Sequence, residues 1–268
     1  MNPELMCGTR AAPGAHEGLA FLQGILNFQA GLAERIEPIP QIGRDAATAK
    51  WLAGEPLFSG ELPAPPSSWL REALTQLRPL LPPGGMAQRT LDQLLSSQAV
   101  EELLASGPIG DSLTLVRRMA GVVRMESEAV DFLFGAVLAP FYQRQAIPYR
   151  AWLAKAEWRR GCCPICGCAP RMARLAAETG QRILVCSLCS SEWAFERLRC
   201  PFCEGDERPL LRRFTVNGDE AHRVDCCDRC GGYLKTVDER VTGRAADIPV
   251  EDLLTAHLDT LAQEMGYQ

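Results

Sequence analysis

The sequence predicts an α+β fold with a mainly helical N-terminal domain, two tandem four-cysteine metal modules and a C-terminal helix. Apolar residues recur at helical spacing through most of the first 150 positions. Four Cys-x-x-Cys pairs then follow within 68 residues, separated by short segments that resemble strands. We expect the domain boundaries 1–158, 159–198, 199–244 and 245–268.

The N-terminal part is predicted to contain helices over the ranges Leu19–Ile36, Trp69–Leu81, Thr90–Ala105, Ser112–Met125 and Glu126–Tyr142. Residues 54–68, GEPLFSGELPAPPSS, are rich in proline and glycine and are predicted to form a linker. The last of these helices has a broad apolar face, so we expect it to be central, with a kink near Pro140. The pattern is compatible with a bundle and with an irregular orthogonal cluster.

Beyond residue 158 the pattern changes to short β-rich segments, among them RMARLA, QRILV, LLRRFTV and YLKTVD. Thr179-Gly180 and Asn217-Gly218-Asp219 lie between such segments and predict hairpin turns. The last 20 residues return to helical spacing. One side of that helix is predicted to carry Leu253, Leu254, His257, Leu258 and Leu261.

The cysteine-rich region contains an internal repeat. Each unit reads Cys-Pro-x-Cys, strand, turn, strand, Cys-x-x-Cys and then an aromatic residue, Trp193 or Tyr233, which we expect to pack over the hairpin. In the first unit 19 residues separate the two pairs, which is typical of a zinc ribbon, and in the second 23 do. Because a short hairpin brings its ends together, each repeat is expected to close its own site.

Eight paired cysteines predict two metal sites of four thiolates each, since tetrahedral ions such as zinc and iron accept this ligand set. A disulfide scaffold is typical of shorter secreted chains, and a thioredoxin-type dithiol uses a single pair. The first site is predicted to use Cys163, Cys166, Cys186 and Cys189, and the second Cys200, Cys203, Cys227 and Cys230. Closed sites of this kind are structural or electron-transferring, and the ligand type leaves iron and zinc as alternatives.

Three glycines beside the pairs, Gly167, Gly205 and Gly231, are expected to adopt the left-handed turn that aims backbone N–H groups at the sulfurs. The remaining cysteines are Cys7, Cys162, Cys168 and Cys226. The last three lie beside predicted ligands and are expected to be small buried residues, with substitute ligands or redox thiols as alternatives. No role is assigned to Cys7.

Charge and composition exclude several classes of function. The formal net charge is −5, and two tetrathiolate sites would remove most of the mild basic excess of residues 159–244, so nucleic-acid binding is not expected. The sequence contains no run of 18 apolar residues, so membrane insertion is not expected. The first residues lack the features of a secretory signal, and we therefore expect a cytoplasmic protein. No catalytic arrangement is visible, and surface or packing roles are expected for His16, His222 and His257.

Four segments together resemble the FdhE family, the bacterial formate dehydrogenase accessory proteins. They are CPICGCAP, VCSLCSSEWAFERLRCPFC, CDRCGGYLKTVDE and AADIPVEDLLTAHLDTLAQEMGY. The resemblance is dense from about Cys163 to Tyr267 and looser in the helical half, through FLQGILNFQAGLAERI and GEPLF.

This resemblance implies a non-catalytic maturation factor that is required for active respiratory formate dehydrogenase and binds its catalytic subunit before export. It also implies rubredoxin-like sites in which the four pairs hold iron, two ions per chain, with zinc as the alternative. Two other functions stay open: an electron-transfer or redox-sensing iron protein, and a zinc-ribbon nucleic-acid-binding protein. The sequence does not indicate the oligomeric state.

Overall fold

A computed structural model describes residues 15–37, 39, 41–59, 65–96, 127–153, 156–216 and 218–268. The predicted helix Ser112–Met125, the end of the predicted helix Thr90–Ala105, and Cys7 lie outside these ranges. Within them, helices precede a sheet, and further helices follow it, so the predicted fold class is confirmed. None of the helices in the described ranges is long and apolar enough to cross a membrane.

The helical part contains α1 (Ala15–Ala33), α2 (Arg44–Leu52), α3 (Ser67–Leu77), a 3₁₀ turn (Arg78–Leu80), α4 (Met86–Ser96) and α5 (Ser127–Leu153). The last of these contacts α1, α3 and α4, so the prediction of a central helix is confirmed. It continues 11 residues beyond the predicted end, through Pro140 and Pro148. Each proline removes one backbone hydrogen bond, but buried Tyr149 and Leu153 extend the packed face and hold the helix together.

The prediction of a linker over residues 54–68 is wrong at its beginning. Leu57 and Phe58 are buried, and their N–H groups donate to the carbonyls of Pro164 and Ile165, each at 2.9 Å. The preceding helix α2, which was not predicted, has only Ala47 and Trp51 buried among its nine residues and therefore shows little periodicity. This stretch joins the helical part to the first cysteine pair.

The six strands form one sheet in the order β3-β2-β1-β6-β5-β4. Their bounds are β1 Pro170–Leu175, β2 Arg182–Cys186, β3 Glu192–Ala194, β4 Leu211–Phe214, β5 His222–Cys227 and β6 Tyr233–Asp238. The two hairpins β1–β2 and β4–β5 are antiparallel, as the repeat predicts. The two repeat units meet where β1 pairs with β6 in parallel, so the tandem modules share a continuous sheet.

The final part is helical, as predicted, but it is divided into α6 (Glu239–Thr242), α7 (Ile248–Leu254) and α8 (Ala256–Glu264). Buried Thr255 separates the last two, and its hydroxyl donates to the Glu251 carbonyl at 2.7 Å. The prediction of a single apolar side is therefore wrong: Leu258 packs against β5, whereas Leu253 and Leu254 are exposed.

Candidate metal centres

The first cluster consists of Cys163, Cys166, Cys186 and Cys189, all buried. Their sulfurs lie within 4.8 Å of one another, with Cys163 Sγ 3.6 Å from Cys189 Sγ and Cys166 Sγ 3.3 Å from Cys186 Sγ. One pair precedes β1, and the other begins at Cys186, the last residue of β2, so the β1–β2 hairpin closes the cluster. The predicted grouping of neighbouring pairs is confirmed here.

The second cluster consists of Cys200, Cys203, Cys227 and Cys230. Cys200 Sγ is 3.7 Å from Cys230 Sγ, and Cys203 Sγ is 3.8 Å from Cys227 Sγ. The β4–β5 hairpin closes this cluster in the way that β1–β2 closes the first. The repeat seen in the sequence is therefore a repeat of structure.

The sulfur geometry fits a tetrahedral ion. A metal–sulfur bond of about 2.3 Å gives tetrahedral sulfur–sulfur edges of roughly 3.8 Å, close to the separations in both clusters. Disulfide bonds need sulfurs about 2.05 Å apart, far shorter than the 3.3 Å of the closest pair. Four thiolates per cluster would suit zinc or iron equally. The role of these eight residues as metal ligands stays a prediction, and so does the metal's identity.

Burial and mutual contacts shift the pKa values of the four thiols in the first cluster, three upward and one downward. Burial raises the pKa of the Cys163 and Cys186 thiols, and hydrogen bonds with its neighbours, Cys163 first, raise the pKa of Cys166. Burial would also raise the pKa of Cys189, but hydrogen bonds from the other thiols bring it below its ordinary value. Because most of these thiols have raised pKa values, binding of a metal ion by four thiolates would release protons.

All four cysteine turns share one backbone geometry. The N–H of the first cysteine donates to the carbonyl five residues on: Cys163 to Cys168, Cys186 to Ser191, Cys200 to Gly205 and Cys227 to Gly232, at 2.8–3.0 Å. The residue four positions on always has a positive φ: Gly167, Ser190, Glu204 and Gly231, at 79°, 52°, 57° and 74°. This turn lets backbone N–H groups approach sulfur, as from Ile165 to Cys163 Sγ at 3.4 Å.

The prediction for the turn glycines is thus right for Gly167 and Gly231 and wrong for Gly205. In that turn the left-handed residue is Glu204, and Gly205 instead supplies the carbonyl that closes the turn. The Glu204 side chain also contacts the segment before the first cluster: its Oε1 accepts hydrogen bonds from Arg160 Nε and from the Gly161 N–H, each at 3.0 Å. The unfavourable conformation of Glu204 is offset by these contacts.

The first cluster lies inside the main hydrophobic core, which it shares with the helical part. Trp51 Nε1 donates to the Pro164 carbonyl at 2.9 Å, beside the backbone bonds from Leu57 and Phe58. From the other side α5 holds the second cysteine turn, since Arg150 donates to the Cys189 carbonyl at 2.9 Å. Both turns of this cluster are thus fixed by the helical part.

The second cluster lies nearer the surface. Cys200 and Cys227 are buried, Cys203 is half-buried and Cys230 is exposed. One face of the second site is therefore open to solvent, and the two sites differ in accessibility although their turns match.

The three other cysteines in the described ranges, Cys162, Cys168 and Cys226, take no place in either cluster. Cys168 and Cys226 are buried, as expected, whereas Cys162 is half-buried. Burial raises the pKa of Cys162, and it raises the pKa of Cys226 to about 12, so neither is a reactive thiolate at neutral pH.

Hydrogen bonds hold the two aromatic residues that follow the second cysteine pairs, and His222 has a structural place. Trp193 is buried and donates to the Arg160 carbonyl at 3.1 Å, and Tyr233 donates to Asp259 at 3.1 Å. His222 lies between two carboxylates, with Nδ1 2.9 Å from Asp219 and Nε2 2.9 Å from buried Glu251. This histidine ties β5 to α7, which agrees with the expected packing role.

The fold and the two clusters together define a protein with a helical body and a paired tetracysteine sheet unit. Residues 162–197 match the family model of the FdhE central domain. A "Protein FdhE homolog" of Aquifex aeolicus is 31% identical over 114 residues, which are 41% of this chain and 40% of that protein. Another, of Pseudomonas aeruginosa, is 30% identical over 198 residues, 66% and 62% of the two chains.

The crystal structure of the FdhE protein from Pseudomonas aeruginosa has the same fold. Its TM-score is 0.65 at 22% identity, with 94% of this chain and 86% of that chain covered. The resemblance of this chain to the FdhE family is thereby confirmed, and residues 162–197 are similar to the FdhE central domain. The chain spans about 35 to 62% of the length of the curated relatives that it matches.

Proposed function

We propose that this protein is a non-catalytic accessory factor in the maturation of respiratory formate dehydrogenase. It would act in the cytoplasm and bind the catalytic subunit before export. The observation that carries the proposal is the likeness to FdhE, which covers the central domain in sequence and nearly the whole chain in fold. The predicted domain boundaries at 158, 198 and 244 are part of this proposal.

The metal sites support a binding role over a catalytic one. Each cluster would supply four thiolates to one ion, so no coordination position is left for water or a substrate. When bound, the ion cross-links the two ends of a hairpin, and its binding energy is also folding energy. We propose two iron ions per chain, with zinc as the alternative.

A pull-down with the catalytic subunit of formate dehydrogenase tests the function. The intact chain should retain the subunit, and Cys163→Ser and Cys200→Ser should each weaken retention by disrupting one hairpin. Ser68→Ala, at an exposed position outside both clusters, is the matched control and should bind as well as the wild type. Failure of the wild type to bind, together with tight binding to RNA or DNA, would contradict the proposal.

A second candidate function is electron transfer or redox sensing, which the exposed edge of the second site favours. Cys230 is exposed, so an iron ion there would lie close to solvent and to a redox partner. A fully folded protein with zinc in both sites separates the candidates. Full support of dehydrogenase activity by the zinc form indicates a structural metal, whereas loss of activity with binding retained indicates a redox role.

A further inference from the structure

A cavity of about 260 Å³ lies beside the second cysteine cluster, between β2 and the β4–β5 hairpin. Its lining includes the single carboxylate of Asp225 and five arginines: Arg182, Arg197, Arg199, Arg212 and Arg213. Guanidinium groups that converge on one concave space are typical of a binding site for an anion with several oxygens.

Three of these arginines already have carboxylate partners. Arg213 pairs with Asp225 at 3.1 Å, Arg212 with Asp228 at 2.5 Å, and Arg199 with Glu204 at 3.4 Å. Arg182 and Arg197 form no ion pair with any residue in the described ranges. The cavity therefore keeps a surplus of two positive charges from side chains.

Arg182 is the decisive residue, because it is buried with only 3% of its surface exposed. Its Nη1 donates to the Arg199 carbonyl at 3.1 Å, but its Nε has no hydrogen-bond partner among the described residues. A buried charged donor without an acceptor is costly. Burial also lowers the pKa of Arg182, which is a second sign of incomplete compensation.

The thiolates of the second site would offset this surplus of charge, but they do not supply a hydrogen-bond acceptor for Arg182. Cys200 and Cys227 line the same cavity, and a tetrathiolate around a divalent ion would carry a charge of −2 that attracts the arginines. However, no sulfur accepts a hydrogen bond from Arg182 Nε. A ligand oxygen in the cavity would supply the acceptor that the protein lacks.

We propose that this cavity binds the phosphate group of a small phosphomonoester. A phosphate group carries about −1.5 to −2 charges and three strong acceptor oxygens, which suits two unpaired guanidinium groups. Leu198 and Phe202 form an apolar part of the lining, and they are 48% and 40% exposed. This apolar surface would cover the organic part of the ligand, which free phosphate does not have.

Calorimetric titration of the metal-loaded full chain tests the site, first with inorganic phosphate and then with phenyl phosphate at constant ionic strength. We expect saturable binding of one phosphate group per chain, with phenyl phosphate bound more tightly. Arg197→Gln removes an exposed side chain and should fold normally, and it should weaken binding about tenfold, the scale of one charge-assisted hydrogen bond. Arg182→Gln should weaken binding at least as much, with folding checked by its thermal transition.

Arg144→Gln is the matched control, because Arg144 is an exposed arginine on α5 outside the cavity. It should bind both probes as the wild type does. The proposal is overturned if neither probe binds saturably, or if Arg144→Gln weakens binding as much as Arg197→Gln. Equal binding of the two probes would assign the site to free phosphate and overturn the phosphomonoester. Tighter binding of a single-stranded oligonucleotide without terminal phosphates would overturn the small-ligand site.

Discussion

The indole Nε1 of Trp51 donates a hydrogen bond of 2.9 Å to the carbonyl of Pro164, which lies inside the first Cys-x-x-Cys turn. Trp51 is buried on α2, in the helical part, and Pro164 belongs to the predicted metal site. The first site is therefore continuous with the core of the helical part. Loss of metal from this site should disturb both parts of the protein.

Trp51→Phe tests this connection. It removes the donor but keeps an aromatic ring, so the Pro164 carbonyl is left buried without this partner, and we expect a loss of about 1–3 kcal/mol in the free energy of unfolding. Trp69→Phe is the control, because the Trp69 indole donates no hydrogen bond to a described residue. Chemical denaturation of the metal-loaded protein measures both. Equal losses in the two variants would show that the hydrogen bond is unimportant.

The shared geometry of the cysteine turns predicts that removing a glycine from the left-handed position destabilises the protein and that introducing one there stabilises it. Gly231 has φ 74° and its Cβ position is open, so Gly231→Ala should cost about 1 kcal/mol through backbone strain alone. Ser190 has φ 52°, so Ser190→Gly should relieve strain and stabilise the protein by up to about 1 kcal/mol. Thermal unfolding measures both changes. Stabilisation by Gly231→Ala would contradict the turn geometry.

Gly161, just before the first cysteine turn, lies against Pro201 in the first turn of the second cluster. A Cβ at this position would lie 1.8 Å from the Pro201 carbonyl oxygen, in the turn that begins at Cys200. We expect Gly161→Ala to cost at least about 3 kcal/mol, because backbone must move. Gly24→Ala on α1 is the control: its Cβ has open space, and alanine should stabilise the helix by up to about 1 kcal/mol. Similar unfolding midpoints for the two variants would refute the contact.

The unequal exposure of the clusters predicts that the two metals leave at different rates. A chelator reaches the second site through exposed Cys230, whereas the first site opens only when part of the core opens. We expect one ion per chain to be released at least about tenfold faster than the other, as measured with a chelator that changes colour when it binds the metal. Cys200→Ser should remove the fast phase. A single phase that releases both ions together would show that the sites are equivalent.

The cysteine grouping and the hairpins could be predicted because their contacts are local. Each site uses pairs joined by a single short hairpin, so sequence spacing nearly determines the pairing. The left-handed residues were harder to place, because the turn fixes them four positions after the first cysteine whatever the residue type. Ser190 and Glu204 occupy two of these positions, where no glycine indicates a left-handed conformation.

Contacts between distant segments could not be predicted from local patterns. Proline and glycine around Leu57 and Phe58 favour a linker, but these residues bind a backbone segment more than 100 positions away. The parallel pairing of β1 with β6 likewise joins strands about 60 residues apart. The buried Arg182 belongs to the same class, since only the assembled sheet brings the other arginines around it.

Metal analysis of the anaerobically purified protein, combined with titration of its thiols, tests the central claim most directly. Two ions per chain are expected, with all eight clustered cysteines protected from the thiol reagent until the metals are removed. Red colour with sulfur-to-iron charge-transfer absorption would identify iron, and a colourless protein zinc. One ion or none, with all cysteines freely titratable in the folded protein, would contradict the account.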